Sequence, residues 1–166
     1  MNPNMKIKFG TDGWRDTYQE NFNRKNIELC IIGLIKHIYN QSMELKPVIV
    51  GYDSRFKSKE FAEIVISTLN QHNIQTFSFD TFAPTPACSL AVKHYQASYG
   101  VMITASHNSK KWNGIKIKSK NGGSAPEKDI KEIEKNIYSD EKIKKSYSTS
   151  SNLDTKFNIH SLYIKK

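Results

Sequence analysis

Apolar residues Ile27, Ile31, Leu34, Ile35 and Ile38 recur at three- and four-residue intervals, the spacing that places side chains on one face of a helix. Phe61, Ile64, Val65 and Leu69 make a second such face. Between them Pro47-Val-Ile-Val-Gly-Tyr-Asp53 is a short apolar run bounded by proline and glycine, the pattern of a buried strand. Gln75-Thr-Phe-Ser-Phe-Asp80 alternates as another strand. It leads to Pro84-Thr-Pro86, where two prolines predict a turn before a short helix around Leu90 to Tyr95. Strand and helix alternate, and that order predicts a three-layer α/β/α sandwich on a mixed, mostly parallel sheet.

The runs Tyr99 to Ala105 and Gly114 to Lys118 are joined by about eight residues, too few for a helical crossover, so they are expected to pair antiparallel. Ile115 and Ile117 are then expected to face the core while Lys116, Lys118 and Lys120 share the opposite face, with Lys116 returning close to residue 106. Pro126 is expected to open a last helix carrying Ile130, Ile133 and Ile137. Residues 1–138 thus form the folded domain, and the serine- and lysine-rich stretch 139–166 reads as a linker or docking tail.

With 166 residues the chain suits one domain, and its longest apolar stretches fall far short of a bilayer span. No signal-peptide pattern opens it, so a cytoplasmic protein without a membrane partner is expected. Cys30 and Cys88 lie apart in apolar segments, as buried free thiols rather than a disulfide or a zinc site. The net charge of +9 invites a nucleic-acid reading, but the basic residues are spread along the chain, and no nucleic-acid partner is expected. A cationic stretch from Lys110 to Lys120 suits a small phosphorylated ligand equally well.

That stretch follows Thr104-Ala-Ser-His-Asn108. A strand that delivers one hydroxyl to a polar turn, with a histidine beside it and cations near, has the layout for covalent phosphate chemistry at Ser106. Lys116 is a candidate acid or base, and His107 a candidate to orient the phosphate. Near the N-terminus, Phe9-Gly-Thr-Asp-Gly-Trp-Arg15 combines two glycines with a planar guanidinium suited to phosphate. Gly51-Tyr-Asp-Ser-Arg55 ends a strand just ahead of a helix. There Asp53 or Ser54 caps the helix or Arg55 orients the serine turn. Each motif alone also fits an ordinary polar turn, and a non-enzymatic module that binds a phosphorylated ligand is the competing class.

Together these motifs resemble the first domain of the α-D-phosphohexomutases, the superfamily of phosphoglucomutase, phosphomannomutase and phosphoglucosamine mutase. The resemblance runs over roughly residues 7 to 137, with Pro84-Thr-Pro86 as a further match. It implies that Ser106 is the serine phosphorylated in the resting enzyme, that Lys116 is the acid–base lysine and that Arg15 and His107 belong to the catalytic group. Thr11, Arg15, Asn108 and Lys116 would contact substrate or phosphate, with Asp53 and Arg55 as structural support. The implied reaction moves phosphate between the 1- and 6-positions of a hexose phosphate through a bisphosphate, with hexose 1,6-bisphosphate as activator. It also implies Mg2+, reached here through the phosphate on Ser106. Two departures stand out: Ser109 replaces a usual proline, and Trp112 a common tyrosine. The family's metal-holding D-x-D-x-D loop lies in its second domain, and no two aspartates here stand two apart. The remaining domains of a parent enzyme are therefore implied as partners, and this piece alone is expected to be inactive.

Overall fold

In the computed structural model the chain is described over residues 7–10, 13–41, 45–140, 143 and 153–164. Six strands and five helices follow one another as β1 (Trp14–Thr17), α1 (Arg24–Asn40), β2 (Val48–Tyr52), α2 (Ser58–Gln71), β3 (Thr76–Phe79), α3 (Thr85–His94), β4 (Tyr99–Ile103), β5 (Trp112–Ser119), α4 (Glu127–Ile137), β6 (Asp154–Phe157) and α5 (Ile159–Ile164). The sheet order is β1-β5-β4-β2-β3-β6. β5 runs antiparallel to both its neighbours, while the β4-β2-β3-β6 pairs are parallel.

Two cores make the three layers. On one face, Ile27, Ile31, Leu34, Phe61, Val65 and Ile133 of α1, α2 and α4 pack on Val48, Val50, Val101, Ile103 and Ile115. On the other, Ala87, Cys88, Ala91 and Val92 of α3 and Ile159 of α5 cover Ile49, Phe79 and Met102. Because β2 and β4 are covered on both sides, they are apolar throughout rather than alternating. α1 starts where Asn23 accepts the Asn26 N–H at 3.1 Å. α4 ends on a buried cation, since Lys36 Nζ donates to the carbonyls of Asn136 (3.1 Å) and Ser139 (2.7 Å) and to the Ser139 hydroxyl (3.0 Å).

Several details depart from the sequence reading. α3 begins at Thr85, with Pro86 inside its first turn, where a helix needs no backbone donor; the prolines start this helix rather than hold it off until Leu90. Pro126 caps α4 from outside, and Glu127 is its first residue. Lys116 and Lys118 do share the face opposite Ile115 and Ile117, but both are buried there, whereas Lys120 is exposed in the following turn. β1 and β6 are elements the hydrophobic pattern does not announce. β6 lies within the stretch read as linker or tail, parallel to β3, and is tied by the Asp154 carboxylate, which accepts from the Thr76 and Ser78 hydroxyls at 2.7 Å each. The rest of that stretch, apart from 139–140, 143 and 153–164, lies outside the described residues.

Candidate active site

β4 ends at Ile103, and the chain leaves the sheet through Thr104 and Ala105, both buried, before surfacing at Ser106 and His107, both exposed. Ser106 sits in the left-handed region at φ 56°, a conformation that a side chain seldom adopts without outside support. The support is visible. The Ser106 N–H donates to Thr104 Oγ1 at 3.0 Å, and the Asn108 N–H to the Ala105 carbonyl at 3.1 Å. Arg55 grips the turn from behind: Nη2 donates to the carbonyls of Ser106 (2.5 Å) and Asn108 (2.8 Å), and Nη1 to those of Ser109 (3.1 Å) and Trp112 (3.5 Å).

Arg55 is itself fixed by the end of β2. Asp53 Oδ1 accepts the Arg55 N–H (3.0 Å) and the Ser58 hydroxyl (2.8 Å), while Oδ2 lies 3.4 Å from Arg55 Nε. The capping alternative is not realised, because α2 follows Lys57 with no side-chain cap; Asp53 instead holds Arg55 and the Ser58 hydroxyl, and Arg55 bonds to the serine turn. Arg15 arrives from β1, opposite Gly114, and its Nη1 donates to Asn108 Oδ1 at 3.2 Å. The strands there approach closely. A Cβ at Gly13 (φ 105°) would stand 2.3 Å from the Ile115 carbonyl oxygen, so only glycine fits.

Ser106, Asn108, Arg15, Asp53 and Arg55 are therefore brought together by hydrogen bonds at the C-terminal edge of the parallel strands, where α/β proteins gather their chemistry. His107 is exposed on the same turn. Lys116 lies in β5 opposite Met102, four residues before Ser106, buried on the α3 face. Thr11 lies outside the described residues. Two residues the sequence did not single out complete the site: Ser58 and Asn113, both fully buried and hydrogen-bonded to each other at 2.9 Å. Among the described residues no three His, Cys, Asp or Glu side chains gather as a metal cage. A cleft of about 750 Å³ opens at the other end of the sheet, beside Ser98, Tyr99, Lys120 and Asp129, and contains none of the serine-turn residues. Among the described residues no helix is long and apolar enough to cross a membrane.

The described residues thus form a six-stranded α/β/α sandwich with an exposed serine on a turn that two arginines contact. The family description "Phosphoglucomutase/phosphomannomutase, alpha/beta/alpha domain I" matches residues 6–144, and the chain belongs to that family as its first domain. A phosphoglucomutase of Staphylococcus epidermidis is 38% identical over 122 residues, 72% of this chain and 22% of that protein. A protein of Thermus thermophilus assigned as a phosphomannomutase superposes with a TM-score of 0.84 at 25% identity, covering 97% of this chain and 35% of that one. A phosphoglucomutase/phosphomannomutase family protein of Burkholderia thailandensis shares the fold at a TM-score of 0.77 and 16% identity, with 97% and 35% covered. The chain thus spans about a fifth of the length of the curated relatives it matches.

Proposed function

We propose that Ser106 carries the phosphoryl group of a phosphohexomutase that interconverts hexose 1- and 6-phosphates, glucose or mannose phosphate being the substrate class. One observation carries this reading: an exposed serine held at φ 56° on a turn whose carbonyls are gripped by Arg55 and whose Asn108 is contacted by Arg15. The turn is braced independently of any ligand, and such preorganisation is most of what phosphoryl transfer asks of a protein.

In the forward step the bond from phosphorus to Ser106 Oγ breaks as one forms to a sugar hydroxyl, giving a hexose bisphosphate. The proton released by that hydroxyl goes to a base, for which Lys116 is the proposed group. The bisphosphate then returns its other phosphate to Ser106, which reverses the same bond changes. Arg15 is the proposed counter-charge to the transferring group, with Asn108, Thr11 and His107 orienting it. Mg2+ is the proposed metal, meeting this chain only at the phosphate on Ser106; the described residues do not fit a metal site by themselves, so its carboxylate ligands are assigned to the parent enzyme's other domains. Turnover by this chain alone is accordingly not expected. The proposed setting is the cytoplasm.

The test is labelling with hexose 1,6-bisphosphate carrying radioactive phosphate and Mg2+, using the protein as the cell makes it. Label is expected on the peptide containing Ser106 and absent from Ser106→Ala. Binding of the bisphosphate without any covalent label would replace the mutase reading with a non-enzymatic phosphate-ligand module. Reactivity with a hexosamine phosphate alone would move the assignment to phosphoglucosamine mutase.

A further inference from the structure

Arg55 has five N–H donors in a fixed fork, and all five face acceptors: Nε faces Asp53, Nη1 the carbonyls of Ser109 and Trp112, and Nη2 those of Ser106 and Asn108. A guanidinium so engaged has no donor left for a phosphate. Its role is to fix where the turn points.

Behind it runs a second set of bonds. Asn113 Oδ1 accepts the Gly114 N–H at 2.9 Å, which fixes the orientation of that amide. Its Nδ2 therefore faces inward, donating to Ser58 Oγ at 2.9 Å and, more weakly, to the Phe56 carbonyl at 3.4 Å. The Ser58 hydroxyl, with its lone pair taken by Asn113, turns its proton to Asp53 Oδ1 at 2.8 Å. Each link has one workable polarity, from the Gly114 N–H through Asn113, Ser58 and Asp53 to Arg55. It starts two residues before Lys116 and ends on the carbonyl of Ser106.

We infer that Asn113 and Ser58 are positioning residues that hold the Lys116 strand and the Ser106 turn in one fixed relation, acting through Asp53 and Arg55. Neither side chain reaches the surface, and both are fully buried, so a loss of polarity at either leaves a partner without its bond. The inference rests on the phosphate-carrying role proposed for Ser106, and the experiment separates the two.

The chain is made with phosphoserine encoded at position 106, and the phosphorus resonance is followed against pH, alongside hydrogen exchange of amides 104–112. A free phosphoserine loses its last proton at about pH 6. In the otherwise unchanged chain the midpoint is expected about one unit lower, because the Arg15 guanidinium, hydrogen-bonded to Asn108 of the same turn, favours the dianion. In Ser58→Ala and in the isosteric Asn113→Asp the midpoint is expected to return at least halfway to the free value, with loop amides exchanging about tenfold faster. Ser58→Thr, which keeps the hydroxyl, is expected to restore both. Midpoints and exchange rates unchanged in Ser58→Ala would overturn the positioning role, and this variant removes a single oxygen, so it remains usable if Asn113→Asp fails to fold. If the unsubstituted chain titrates like a free peptide, the phosphate reading fails. Tenfold faster exchange in Ser58→Ala would still support the wiring in that case, and unchanged exchange would overturn it.

Discussion

Gly114 is the position at which a single methyl group tests the packing of the site most sharply. It lies in β5 between two strands, opposite Arg15 of β1 on one side, while on the other its carbonyl accepts the Thr104 N–H at 2.9 Å. A Cβ there would stand 2.7 Å from the Thr104 carbonyl oxygen, 2.7 Å from the Trp14 carbonyl oxygen and 2.9 Å from Arg15 Cγ. Ordinary contact needs roughly another 0.7 Å on each side. The two oxygens belong to different neighbouring strands, so a movement that relieves one contact tightens the other unless the strands part. Gly114→Ala is therefore expected to lower stability by about 1–3 kcal/mol, the usual cost of overpacking. It should also speed amide exchange in β1 and in the turn after Thr104. Gly123, in a turn with nothing within 4 Å of its would-be Cβ, is the matched control, and Gly123→Ala is expected to be neutral or to stabilise by a few tenths of a kcal/mol. Urea denaturation of the two variants beside the parent is the assay. Equal midpoints for Gly114→Ala and Gly123→Ala would refute the reasoning.

Three further outcomes are expected. Lys36→Met keeps the apolar stem but leaves the carbonyls of Asn136 and Ser139 without their cation, and a loss of about 1.5–3 kcal/mol should appear in the same urea assay. Asp154→Ala removes the acceptor of the Thr76 and Ser78 hydroxyls, so amides of β3 and β6 should exchange faster while those of β4 and β5 stay unchanged; uniform protection would disprove the anchoring. Burial raises both thiols, Cys88 to about 12 and Cys30 further. Their contribution is intact below the ordinary thiol value of about 8.5 and declines above it, because only the unfolded chain then releases those protons. Stability should fall by about 1.2 kcal/mol for each thiol between pH 9 and 10, and a Cys88→Ala variant should show the shallower slope.

The parts of this fold that the sequence made readable are those in which apolar side chains decide the structure. α1 and α2 follow from the spacing of Ile27 to Ile38 and of Phe61 to Leu69, and the β4–β5 pair from a connection too short to cross over. The serine turn was readable because a hydroxyl, an imidazole and an amide stand together between two strands. β1 and β6 were not, because Trp-Arg-Asp-Thr and Asp-Thr-Lys-Phe contain one aromatic residue each and become strands by pairing with β5 and β3. Asp154 looks solvent-bound until the Thr76 and Ser78 hydroxyls are placed beside it. Ser58 and Asn113 were hidden for a similar reason. A lone small polar residue has no period, and its role depends on a partner 55 positions away.

β5 meets β4 in a register that sets Ile115 opposite Ile103 and Lys116 opposite Met102, so its two sides are fixed by that ladder and not by the length of the passage from Ile103 to Trp112. A slip of the ladder by one residue would turn Ile115 and Ile117 beneath α3 and drive Lys116 and Lys118 into the oil beneath α1 and α4. A residue added in the passage itself is taken up as a longer loop, whereas one added inside β5 sets the oily and the charged side against each other.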